Sequence, residues 1–239
     1  MSFEFLPGTL SGASTVDEVA DSDREEVDIR KSLYEKLVSS HTEYSEGTVT
    51  SLGELDSRLF AILSDQENPD RLAKAKLLLE RYKGGDWWLH RRVPVKTPDA
   101  PNGYERVLIA RHEGVYDLLV LSWSEVNSPI HDHPCERCFL MPLCGKMMEN
   151  RYEKRDDGSI TLVHSLPIPN YEASWIDDNI GLHSVGNVGE EIACSLHCYI
   201  PGFTRPCTIF DPEVEHNPEI GETIRVRSRA ATWSVCKST

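Results

Sequence analysis

From about residue 50 onward, two hydrophobic patterns follow one another along the chain. Leu52, Leu55, Leu59 and Leu63 recur at intervals of three and four, the spacing that puts side chains on one face of an α-helix. Ser51-Leu-Gly-Glu54 has the spacing of a capping box, so a first helix is predicted near 52–64. Asn68-Pro69-Asp70 predicts a second start, with Asn68 as N-cap and Pro69 at the first helical position; Leu72 to Tyr82 continue it until Gly84-Gly85. Before these helices, residues 1–50 mix Ser, Thr, Gly, Asp and Glu with few large apolar groups. They read as a weakly ordered arm, in which Ile29 to Val38 could form a short helix.

After Asp86-Trp-Trp88 the pattern changes to short apolar stretches rich in β-branched and aromatic residues, separated by Gly, Pro, Asn and Asp. Strands are predicted at Arg106–Arg111, Tyr116–Ser124, Cys138–Leu143, Lys146–Lys154, Ile160–Ser165, Ala173–Ile176, His183–Asn187, Ile192–Ile200 and Thr208–Phe210. Many short strands at this spacing point to a β-sandwich or barrel. The expected division is an arm over 1–50 and one domain over 51–239 that begins with its helices.

Composition narrows the function. The formal net charge is -14, and residues 1–57, with 13 acidic and 4 basic side chains, supply -9 of it. An acidic excess repels phosphate backbones and anionic lipid, so nucleic acid and membrane are poor partners. The remainder carries only about -5, which does not demand a cationic ligand. Seven cysteines, an odd number, and an opening segment without a charged or apolar leader pattern suggest reduced thiols and a cytoplasmic location. No apolar run approaches the ~20 residues of a bilayer span.

The candidate chemistry begins at His131-Asp-His133. In an extended chain residues i and i+2 share a face, so these imidazoles can converge on one metal ion, although two exposed loop histidines would look the same. Four residues separate His133 from Cys138, six more lead to Gly145, and His183 is followed after three residues by Asn187. These spacings resemble the two cupin motifs, HxH-x4-E-x6-G and H-x3-N, with Cys138 where a Glu ligand usually stands. A cupin that keeps three histidines but lacks that Glu is similar to the cysteine dioxygenases. Tyr104-Glu-Arg106, Trp123, Ser128 to His133, Cys138-Phe-Leu, Gly181-Leu-His183, Ser195-Leu-His197-Cys-Tyr199 and Phe203 to Asp211 occur in that family's order over roughly residues 52–215.

The resemblance implies a mainly β fold, a cupin-type barrel or jelly roll with a short N-terminal helical region. It implies Fe(II) held by His131, His133 and His183, a choice consistent with three neutral imidazoles and open positions, although Zn would accept the same ligands. It further implies that Arg106, supported by Tyr104, binds the substrate carboxylate. Arg111 is a nearby competitor. Ser195, His197 and Tyr199 alternate on one face of a strand, with Cys194, Leu196 and Cys198 on the other. In the family, the histidine at His197 bonds the Tyr199 hydroxyl beside the metal, and the cysteine at Cys138 forms a thioether with the tyrosine at Tyr199.

The implied reaction is oxidation of the thiol of L-cysteine by O2 to cysteine sulfinic acid by a monomeric enzyme. Alternatives are a related dioxygenase acting on 3-mercaptopropionate or cysteamine, and a non-catalytic metal-binding cupin. Arg106 argues against cysteamine, which has no carboxylate. Members using 3-mercaptopropionate typically carry Gln there and lack the cysteine. Cys135-Glu-Arg-Cys138 also has the CxxC spacing of thiol oxidoreductases, but it lies outside a helix N-terminus that would activate a thiol.

Overall fold

The computed structural model describes residues 47–94, 103–202, 206–214, 217–231 and, for backbone only, 236–237. The acidic arm up to residue 46, with its short helix at Ile29 to Val38, and Phe203 lie outside the described residues.

Helix α1 spans Leu52–Leu63. Ser51 Oγ accepts the Glu54 amide at 3.1 Å, as the capping motif requires, but the Glu54 carboxylate returns to the amide of Thr50 at 3.0 Å. Its four leucines are all buried. Helix α2 spans Arg71–Arg81 and buries Ala75, Leu78 and Leu79. Its N-cap is Asp70, so Asn68 and Pro69 stand before the helix. The Asn68 side chain accepts the Asp70 amide at 3.0 Å, closing a local turn that holds the chain out of helical geometry for two further residues. A 3-10 turn at Asp86–His90 leads into the sheets.

Among the described residues, thirteen strands form two sheets. They are β1 (Tyr104–His112), β2 (Tyr116–Trp123), β3 (Ile130–His131), β4 (Arg137–Cys144), β5 (Met147–Lys154), β6 (Ile160–Ile168), β7 (Ser174–Ile176), β8 (Leu182–Asn187), β9 (Ala193–Ile200), β10 (Cys207–Pro212), β11 (Thr223–Ile224), β12 (Val226–Ala231) and β13 (Cys236–Lys237). The six-stranded sheet runs β13-β1-β2-β9-β4-β7 and the seven-stranded sheet β11-β6-β5-β8-β3-β10-β12, all antiparallel except β1 with β13. This mainly β barrel matches the expected class. The predicted strands are all present. Those not predicted are β3, β11, β12 and β13.

Strict alternation divides the core. On β2, Tyr116, Leu118 and Val120 join the cluster containing the α1 and α2 leucines, whereas Leu119, Leu121 and Trp123 join the one containing Val185 and Ile168 of the other sheet. Strand β9 behaves alike: Cys194, Leu196 and Cys198 pack on the helical side and Tyr199 faces inward. Each fully buried leucine in these clusters contributes about 1.5–3 kcal/mol through burial alone. Strand β4 keeps this register with β9 until a bulge between Pro142 and Cys144. At Gly145, φ is +87° and a Cβ would lie 2.4 Å from that of Ala193, so the motif glycine is required there by a close chain approach. No described helix is long and apolar enough to cross a membrane.

Candidate functional site

The three motif histidines converge. His131 on β3 lies directly opposite His183 on β8, and His133 follows two residues later. Their ligand atoms all lie within 4.8 Å of one another, and all three residues are buried. Asp132, between the two histidines, points away and anchors the segment. Its amide donates to the Thr208 carbonyl of β10 at 3.1 Å, and its carboxylate accepts the Thr208 amide at 2.6 Å. The His133 amide is fixed separately by Asp178 Oδ1 at 2.8 Å.

The outer nitrogens determine which atoms face inward. His131 Nδ1 meets the Pro129 carbonyl at 2.8 Å and His183 Nδ1 meets Glu149 Oε1 at 2.8 Å, leaving both Nε2 atoms toward the cluster. The buried His133 Nδ1 has no hydrogen-bond partner. Burial pushes the His131 and His133 imidazoles well below their ordinary pKa, with His183 as the next cause. Buried and mutually close imidazoles can hold a divalent metal ion.

Glu149, behind His183, is a candidate site residue that the sequence reading missed. Burial alone would raise its pKa, but the hydrogen bond and charge of His183, then Arg151 and Ser174, hold it at about 2. Its Oε2 accepts from Arg151 Nη2 at 3.0 Å and from Ser174 Oγ at 2.7 Å. A carboxylate behind a ligand histidine fixes ring orientation and tautomer. The available signal was only a Glu at an inward position of β5.

The opposite sheet supplies the rest of the cavity, which is lined by Arg106, Trp123, His197 and Tyr199 together with the three histidines. Its empty volume, open mouth included, is about 260 Å³. Arg106 is buried, stacks 4.7 Å from the Tyr104 ring and donates from Nη2 to the Tyr104 hydroxyl at 3.1 Å. Arg111, at the far end of β1, is half exposed and forms a two-pronged pair with Asp117 at 2.7 and 2.8 Å. It is therefore outside the cavity.

On β9 the predicted face is observed, but its hydrogen bonds differ from expectation. Trp123 Nε1 donates to Ser195 Oγ at 2.8 Å, and Ser195 Oγ lies 2.9 Å from His197 Nε2. His197 Nδ1 has no partner, and its ring stacks 6.0 Å from that of Tyr199. Side chains two residues apart on a strand stand parallel, which sets these rings face to face instead of end to end. Burial, then the neighbouring Cys138, keeps the Tyr199 phenol protonated. Cys138 is directly opposite Tyr199 in the β4–β9 register, and burial raises its thiol well above the ordinary range. Burial, followed by Asp178 and Asp177, pushes the Cys135 thiol up to about 12, so the CxxC pair lacks an activated thiol.

Residues 96–213 match the family described as Cysteine dioxygenase type I. A rat protein named cysteine dioxygenase type 1 is 35% identical over 182 residues, covering 74% of this chain and 85% of the rat protein. Human and zebrafish proteins of the same name are each 35% identical, over 124 and 126 residues, each covering 50% of this chain and 62% of the relative. With the rat protein matched over most of its length and the three-histidine cavity lying inside the matched stretch, this chain belongs to the cysteine dioxygenase family.

Proposed function

We propose that this protein is an iron-dependent dioxygenase that converts L-cysteine and O2 to cysteine sulfinic acid. The observation that carries this reading is one small cavity lined by three metal-competent histidines and a buried arginine. His131, His133 and His183 would hold Fe(II). When bound, that ion supplies a coordination site for the thiolate and redox activation of O2, which Zn does not provide.

The chain's own residues bind and orient the substrate. Arg106 pairs its planar guanidinium with the cysteine carboxylate, a two-pronged fit that a Lys point charge lacks. Tyr104 keeps the guanidinium aimed by accepting its hydrogen bond. Tyr199, protonated because it is buried, donates a hydrogen bond toward the reacting atoms. Ser195 and His197 brace the strand face beside it, tied to Trp123. A thioether between Cys138 and Tyr199 would lower the entropic cost of holding the phenol in place. The balance closes without an external reductant: sulfur gives up the electrons and receives both oxygen atoms.

This reading includes a monomer acting in the cytoplasm on small molecules, with residues 51–239 as the catalytic domain and 1–50 as an accessory arm. The test is oxygen uptake by Fe(II)-loaded full-length protein with L-cysteine, 3-mercaptopropionate and cysteamine side by side, with product identification. Sulfinic acid formed fastest from L-cysteine supports the proposal. No uptake at full iron loading, or preference for either other thiol, overturns it.

A further inference from the structure

A second cysteine pair lies in the ladder that carries Cys138 and Tyr199. At the other end of β4–β9, Cys144 stands directly opposite Cys194. The bulge between Pro142 and Cys144 creates this pairing. Before the bulge, even-numbered residues such as Cys138 and Leu140 face the barrel interior; after it, Cys144 packs instead on the helical side, where Cys194 also lies. Close approach of Gly145 to Ala193 holds the two strands tightly together at this point.

The chemistry of the pair is asymmetric. Cys144 is partly exposed and Cys194 is buried. Cys144 Sγ donates to the Ile192 carbonyl at 3.9 Å, and Cys194 Sγ lies 3.8 Å from Ser122 Oγ. The neighbouring Cys194 thiol lowers the Cys144 thiol to about 7; burial opposes this, and the Cys194 backbone and Arg91 assist. The neighbouring Cys144 thiol and burial raise the Cys194 thiol well above its ordinary range. Directly opposed residues in an antiparallel pair have Cα atoms ~4.5–5.5 Å apart, inside the ~4.4–6.8 Å range that a disulfide spans.

We propose that Cys144 and Cys194 form a reversible cross-strand dithiol/disulfide site that reacts with low-molecular-weight disulfides. The Cys144 thiolate attacks one sulfur of the small disulfide, forming a mixed disulfide and releasing one small thiolate. Cys194 then loses its proton and attacks Cys144 Sγ, expelling the second. Two protein thiols are oxidised by two electrons, the small disulfide is reduced to two thiols, and those thiols take up the two protons. Only the first step needs solvent access, which Cys144 has.

The experiment incubates full-length iron-loaded protein in glutathione buffers from fully reduced to fully oxidised, blocks free thiols after acid quench, and maps peptides. The expected result is a Cys144–Cys194 linked peptide that increases with oxidised glutathione and disappears on reduction. Loss of alkylation should occur at both cysteines together. In Cys144→Ser the link is absent and Cys194 stays alkylatable after denaturation. Reductant resistance separates any Cys138–Tyr199 thioether from this bond. Alkylation of both cysteines throughout the series, or glutathione retained on Cys144 without the link, overturns the proposal. None of these outcomes depends on the dioxygenase reading.

Discussion

Glu149 Oε1 lies 2.8 Å from His183 Nδ1, so a buried carboxylate on β5 orients an imidazole on β8. The same carboxylate is held by Arg151 and Ser174, which leaves it little freedom to turn away. Glu149→Gln keeps the shape but removes the charge. We expect Fe(II) affinity to fall ~10–100-fold, the usual effect of removing a partner behind a metal ligand. Metal analysis after equilibrium dialysis checks this, and unchanged affinity would assign Glu149 a purely structural role.

Arg106 and Arg111 occupy the same strand in different surroundings. For Arg106→Ala we expect kcat/KM for L-cysteine to drop roughly 10- to 150-fold, corresponding to ~1.5–3 kcal/mol for a hydrogen bond to a charged group. Arg111→Ala should leave it unchanged, because that side chain is committed to Asp117 outside the cavity. The reverse outcome in steady-state kinetics would refute the assignment.

Tyr199→Phe removes one hydrogen-bond donor from a buried cavity. We expect kcat to fall ~10²–10³-fold with a smaller change in KM, as when a donor acts mainly in the transition state. Cys138→Ser should abolish any thioether while leaving turnover measurable. Intact mass after prolonged turnover should show loss of two hydrogens in the wild type and none in Cys138→Ser.

Leu59 on α1 is fully buried against the helical side of the first sheet, remote from the histidines. Leu59→Ala should cost ~2–5 kcal/mol of stability, with the spread set by how far the cavity collapses. Urea unfolding measures it, and the KM of the folded fraction should be unaffected.

Much of this architecture is legible in the sequence because α1 and β9 repeat one period over enough residues to define a face, and β2 is a short apolar run bounded by turn residues. The four leucines of α1 and the alternating residues of β9 leave little ambiguity. Strand β3 has only two residues, too few to show a period, yet its pairing sets His131 beside His183. The second helix begins later than predicted because the Asn68 side chain stabilises a turn. Glu149 was hidden for a different reason: Glu-Asn-Arg on β5 looks like a solvent face, and its burial depends on partners from β7 and β8. His197 likewise belongs to the predicted face, but only the registered strands reveal that its Nε2 meets Ser195.

The bulge in β4 also sets where the chain can change length. Between Cys138 and Pro142 every position is counted against β9, so losing one residue would invert the remaining side chains and move Cys138 away from Tyr199. Beyond Gly145 no such count binds the two strands. Insertions and deletions should therefore be excluded upstream of the bulge and tolerated in the loops downstream.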